Sequence, residues 1–212
     1  TPVAGLTHTD YTVVNETTYS YYVIAVFSGG NSDPSNPVQA TPSANPPLEV
    51  VVGEGTASTG TYDGCAVNIW YQSLHGQSVY TAAELNSQGV FGPIEITRIG
   101  FNITGLPAQA MPNYIIRMGH TTATNAASWK PLASLTQVWS SASYRPTATG
   151  WNTLTLGTPF LWNGTDNIVI DTAFGLIGSY NASRTTQYTN VATGYIFNRS
   201  DSADQTNVFT GG

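Results

Sequence analysis

The side chains able to do chemistry are few and dispersed. Among 212 residues there are twelve Asp and Glu, three His and one Cys. Acid–base catalysis needs paired carboxylates facing one cleft, or a histidine oriented by an acid. His8, His75 and His120 share no motif spacing, and neither H-E-x-x-H nor G-x-S-x-G occurs. Gly53 and Gly55 follow an apolar run in "VVVGEGTAS", which has the outline of a phosphate loop. A dinucleotide loop needs a third Gly or Ala and then a helix. Ser58 stands at that place, and Thr, Ser and Gly continue where the helix should begin. No enzymatic activity is expected.

Calcium is the ion that the loops could take, and no other cofactor is indicated. The candidate ligands are Asp63 in "TYDG", Asp166 in "NGTD", and Asp201 with Asp204 in "DSADQ". The 201/204 spacing does not match a helix–loop–helix calcium site, and Asp in such turns commonly bonds its own backbone. Cys65 stands alone, so neither an intrachain disulfide nor a cysteine-based zinc site can form. It reads as a small buried hydrophobe, with an intermolecular bridge as the other reading.

Aromatic residues offer a different chemistry, stacking on sugar rings. Trp70 beside Tyr71, Trp129, Trp139, Trp151 and Trp162 are available. In a sandwich most such rings fill the core, so a carbohydrate-binding module is the alternative reading rather than the first. Asn15, Asn102, Asn163, Asn181 and Asn198 each begin an N-x-Ser/Thr triplet, a weak signal in a chain so rich in these residues.

The elements that must carry these groups are strands. Charged residues make up 8% of the chain, against roughly 25% in an average soluble domain. Aromatics reach 11% and β-branched residues recur in short runs, a composition suited to packed sheets. Arg98, Arg117, Lys130, Arg145, Arg184 and Arg199 are scattered, and the net charge is −6. That leaves no basic face for nucleic acid or for an anionic membrane, and no apolar run approaches the ~20 residues of a spanning helix.

"SANPP" at 43–47 reads as a semi-rigid joint between a segment at 1–42 and one at 48–212. In the first, strands are expected at 10–14, 17–28 and 37–42, with the turn chemistry of "GGNSDPS" between the last two. In the second, short runs at 48–53, 66–72, 94–103, 113–119, 135–141, 151–156, 166–174, 185–191 and 194–200 predict a sandwich or jelly roll. "IEITRIGFNI" and "WNTLTL" alternate cleanly. "TAAELNSQG" predicts a short helix with Thr81 and Glu84 as a capping box and Gly89 as its stop.

"LTHTDYTVVNETTYSYYVIAVFSGGNSDPSNPVQATPS" resembles the last three strands, E, F and G, of a fibronectin type III domain. The likeness is carried by the tyrosine-rich stretch 19–27, the turn Gly29-Gly30-Asn31-Ser32, and Pro34-Ser35. "QSVYTAAELNSQGVFGPIEITRIGFNI", "NYIIRMGHTTAT" and "GWNTLTLGTPFLWNGTDNIVIDTAF" are similar to a jelly-roll-like, cleaved-adhesin-like domain of secreted Bacteroidetes-type surface proteins. These resemblances imply an extracellular or cell-surface, non-catalytic structural or adhesive protein. They also imply Asp-Thr/Ser O-glycosylation, with Thr172 in "DTA" and Ser202 in "DSA" as candidate sites.

A fibronectin type III sandwich has about seven strands, and the A to D part does not precede these three. Either the segment is a fragment of a longer chain, or another molecule supplies the missing strands. In the second case Tyr19, Tyr21, Val23, Ala25 and Phe27 form a self-association face, and head-to-tail joining would build a filament. The expected partners are neighbouring copies or adjacent domains of a longer chain, and in the alternative reading glycans.

Overall fold

The computed structural model describes residues 10, 12–42, 48–60, 63–179 and 185–210. The chain divides into two compact units, Thr1–Val50 and Val51–Gly212. The Pro-rich stretch 43–47 lies outside the described residues, as do His8, Asn181 and Arg184. Among the described residues every strand pairing is antiparallel and the one α-helix is short, so the protein is all-β, in keeping with its composition.

In the first unit the stretch 17–28 is not one strand. It holds β1 (Tyr19–Tyr21) and β2 (Val26–Phe27); β3 (Gly30–Asn31) closes a hairpin on β2, and β4 (Val38–Ala40) pairs with β1. Between β1 and β2 two serine hydroxyls replace backbone carbonyls as acceptors. The Val23 N–H donates to Ser35 Oγ and the Ala25 N–H to Ser32 Oγ, each at 2.9 Å. The carbonyls of Val23 and Ala25 accept from the Ser35 and Ser32 N–H groups, also at 2.9 Å. Residues 12–14 are not a strand either: the Asp10 carboxylate takes the Thr12 N–H at 2.9 Å, closing a turn instead.

The second unit begins with β5 (Ala57–Ser58) and β6 (Ser73–Tyr80), then α1 (Ala82–Ser87), β7 (Ile94–Ile103) and β8 (Met111–Thr121). After a 3-10 turn come β9 (Thr136–Tyr144), β10 (Gly150–Trp162), β11 (Asn167–Phe174), β12 (Gln187–Tyr188) and β13 (Tyr195–Ser200). Five strands form one sheet in the order β13-β6-β11-β8-β9. β7 and β10 form a ribbon that the Ile103–Thr186 bridge carries on to β12 and β5.

Alternation decides which residues of the ribbon are inside. On β10, Leu156, Phe160 and Trp162 are buried while Trp151 and Leu161 face out. The Phe160 ring lies 4.8 Å from that of His120, joining β10 to β8. The core also takes Leu74, Ile103, Tyr114, Ile116, Met118, Ile168 and Phe174, all almost fully enclosed. α1 begins as its sequence predicts. The Glu84 N–H donates to Thr81 Oγ1 at 3.2 Å, and the Thr81 N–H donates to Glu84 Oε2 at 2.7 Å. Gly89, at φ +81°, follows its end.

In the stretch from 48 on, two further expected strands are absent. Residues 48–53 are irregular, and 66–72 form a buried loop that contributes Val67 and Ile69 to the core. That loop is held by Asn68, whose amide donates to the Asp63 carbonyl at 2.7 Å and accepts the Trp70 N–H at 3.0 Å. A buried loop needs such internal partners because water cannot reach its backbone. The strand β6 falls in a stretch with no evident apolar run, for reasons that its neighbours supply.

Candidate functional site

β6, β11 and β8 lie side by side in a register that sets Gln77 opposite Asp171 and Asp171 opposite Arg117. Cross-strand partners share a face of the sheet, so three polar side chains form one row. Arg117 Nη1 donates to Asp171 Oδ1 at 2.8 Å, and Gln77 Nε2 donates to Oδ2 at 2.9 Å. His75, two residues before Gln77 on the same face, places Nε2 2.5 Å from Oδ2. Asp171 thus meets two nitrogen-bearing side chains on one oxygen and a guanidinium on the other. His75 and Asp171 are both 0% exposed.

Two segments roof this row. From 129–130, the Lys130 carbonyl accepts from Gln77 Nε2 at 3.0 Å, the Lys130 N–H donates to Gln77 Oε1 at 2.8 Å, and the Trp129 ring lies 4.6 Å from His75. From 206–209, the Val208 carbonyl lies 2.8 Å from His75 Nδ1, and the Thr206 carbonyl accepts from Arg117 Nη2 at 3.0 Å. Phe209 sets its ring edge-on to His75 at 4.7 Å and under the Arg117 guanidinium at 5.8 Å.

An acid oriented on a histidine is the catalytic arrangement that sequence spacing did not disclose. It is sealed, however: no reacting atom can approach a ring enclosed by Trp129, Phe209 and a carbonyl. What the arrangement can do is bind the 206–209 strap to the sheet through charge-assisted bonds. A concavity of about 240 Å³ lined by Val79, Thr81, Glu84, Asn125 and Gly194 lies elsewhere. It is smaller than the ~300–1,000 Å³ of ordinary ligand pockets.

The calcium candidates are separate turn residues. Asp63 Oδ2 accepts the Gly60 N–H at 2.6 Å, and Asp166 Oδ2 accepts from Asn163 Nδ2 at 2.7 Å. Asp201 Oδ1 accepts the Gln72 N–H at 3.2 Å, and Asp204 Oδ1 accepts the Thr206 N–H at 2.8 Å. Among the described residues no three His, Cys, Asp or Glu side chains converge on one point.

Of the glycosylation candidates, Ser202 is exposed but Thr172 is 4% exposed on the central strand β11. In the folded domain the Thr172 side chain is therefore enclosed, unlike that of Ser202. His120 is not free: Nε2 accepts the Asn163 N–H at 3.2 Å. Cys65 is buried, as a small hydrophobe would be, and burial pushes its thiol pKa up.

The remaining candidates lie on the first unit. Val23 is 73% and Phe27 64% exposed, Tyr21 and Ala25 are also exposed, and Tyr19 is half-buried with its hydroxyl accepting the Val14 N–H at 2.9 Å. The opposite face, Tyr22, Ile24 and Val26, is exposed as well. One edge of this stretch is engaged, since the backbone of Val23 and Ala25 is turned toward Ser32 and Ser35. In an antiparallel ladder successive residues point their backbone groups to opposite sides. The N–H and C=O groups of Tyr22, Ile24 and Val26 therefore face the other edge, which carries no partner strand among the described residues.

No protein-family model, curated protein or solved structure matches the chain.

Proposed function

We propose that the protein is a non-catalytic structural or adhesive module of an extracellular surface, assembled by strand addition at its first unit. In this reading 10–42 supplies the closing strands of a fibronectin type III-like sandwich, and a neighbouring copy of the chain supplies the strand beside 22–26. The observation that carries it is the edge at Tyr22, Ile24 and Val26, which has no partner strand among the described residues, on a ribbon with apolar side chains exposed on both faces. Such an edge is a template for another strand, and an apolar surface of this kind is covered in working proteins. Between residues 10 and 42 there are three acids, Asp10, Glu16 and Asp33, and no Lys or Arg. Two such ribbons repel weakly, so pairing rests on the apolar side chains and the backbone edge and should strengthen as salt screens the acids.

The test is native molar mass by light scattering across a concentration series, paired with the substitution Ile24→Pro. Proline removes the N–H aimed at the open edge while leaving the bonds of Val23 and Ala25 to the serines in place. Species above 22.5 kDa that grow with concentration and vanish in Ile24→Pro are expected. A strictly monomeric chain at high concentration would remove the second copy as the occupant.

A further inference from the structure

The outer face of the second unit's ribbon carries a row that the assembly reading does not use. In the paired register Trp151 of β10 stands opposite Asn102 of β7. The antiparallel bridge Ile103–Thr186 then sets Asn102 opposite Gln187 of β12, and Gln187 pairs with Ser58 of β5. Partners share a face, so Trp151, Asn102, Gln187 and Ser58 form one line across four strands. At ~4.8 Å per strand the line is about 14 Å long, the length of a short oligosaccharide.

Its chemistry is uncharged and amphipathic. Trp151 is 54% exposed, on a chain where Trp162 is 0% exposed and fills the core. Beside it Gly100, opposite Thr153, puts no side chain on the floor next to the indole. Asn102 Nδ2 donates to Gln187 Oε1 at 2.6 Å. That bond uses one donor and one acceptor and leaves the Asn102 Oδ1 acceptor and the Gln187 Nε2 donors over, on two residues that are each half-exposed. An indole face with fixed donors and acceptors at one end is complementary to a ring whose faces are C–H and whose rim is hydroxyl. Pyranoses with all-equatorial substituents have that shape, and a nucleic acid or an acidic peptide does not.

We infer that the row Trp151–Asn102–Gln187–Ser58 is a binding site for a β-linked, gluco-configured oligosaccharide, with Trp151 stacking one ring and the two amides reading the hydroxyls of the next. The inference is independent of strand addition, since it uses only the second unit. Trp151 is exposed, so its removal leaves the core intact.

The experiment is isothermal titration of the full chain with cellohexaose and with chitohexaose, alongside Trp151→Ala and Gln187→Ala. Circular-dichroism melting confirms that both variants fold. Saturable binding of at least one probe is expected, lost by at least tenfold in Trp151→Ala and weakened several-fold in Gln187→Ala. Intrinsic fluorescence should shift on binding in the wild type and stay unchanged in Trp151→Ala. Absence of binding to both probes at millimolar concentration overturns the inference, and so does binding that Trp151→Ala leaves intact.

Discussion

Asp171 and His75 touch at 2.5 Å in a part of the sheet that water does not enter, and both are tied to the same covering segment, 206–209. The pair is a fastening. His75 reaches on to the Val208 carbonyl, and Asp171 holds Arg117, which reaches on to the Thr206 carbonyl. The strap at 206–209 is therefore secured through the same carboxylate twice.

Replacing Asp171 by Asn should cost about 3–5 kcal/mol, because Arg117 then stays buried without its counterion. Urea denaturation of the two chains measures it. A loss below about 1 kcal/mol would mean that the network has alternative partners. Replacing Asp171 and Arg117 together by apolar residues of similar size should be less harmful than Asp171→Asn alone.

Phe209→Ala removes the ring that covers both His75 and Arg117. The expected outcome is a loss of about 1–3 kcal/mol, less than for a fully enclosed phenylalanine, with faster amide exchange confined to 205–210. Exchange unchanged in that segment would show that Trp129 and the carbonyl bonds hold the strap unaided.

Tyr195→Phe should be neutral or stabilising. The Tyr195 hydroxyl is enclosed and makes no hydrogen bond of good geometry, although the Thr172 side chain lies near it, and a poorly matched buried polar group costs about 1–3 kcal/mol. The ring lies over Gly76, where any Cβ would overlap it, so Gly76→Ala should loosen β13 from β6 and lower the melting temperature. A destabilised Tyr195→Phe would contradict this account.

Stability should fall as pH rises above about 10. Burial raises the phenol pKa of Tyr114 and of Tyr195 above the ordinary value of 10.0. In the folded chain both stay neutral where the unfolded chain already ionises, so the folded state binds more protons in that window. Stability is fully present below pH 10 and declines above it, by about 1.4 kcal/mol per pH unit for each group. Urea midpoints between about pH 9 and 11 give the slope, and Tyr195→Phe should reduce it by one proton.

Much of the architecture follows from sequence alone. Low charge, many aromatics and period-two runs specify an all-β chain, because alternation separates Trp151, Thr153 and Thr155 from Asn152, Leu154 and Leu156 on any half-buried strand, and the structure then shows Trp151 outward and Leu156 inward. The capping box at Thr81 and Glu84 is equally local, and the structure contains it. The same rule fails at Ser73–Tyr80, whose inward residues His75 and Gln77 are polar. Nothing within eight residues says that their partners lie about a hundred positions away at Asp171, or that Trp129 and Phe209 will roof them. Residues 66–72 mislead in the opposite sense: they look like a strand because they are apolar, and they are buried as a loop because Asn68 satisfies its backbone. Local pattern determines which faces are greasy. Only the register of β6, β11 and β8 decides that charges can lie buried, since a charge enters the interior at tolerable cost only beside a partner that the tertiary fold has fixed.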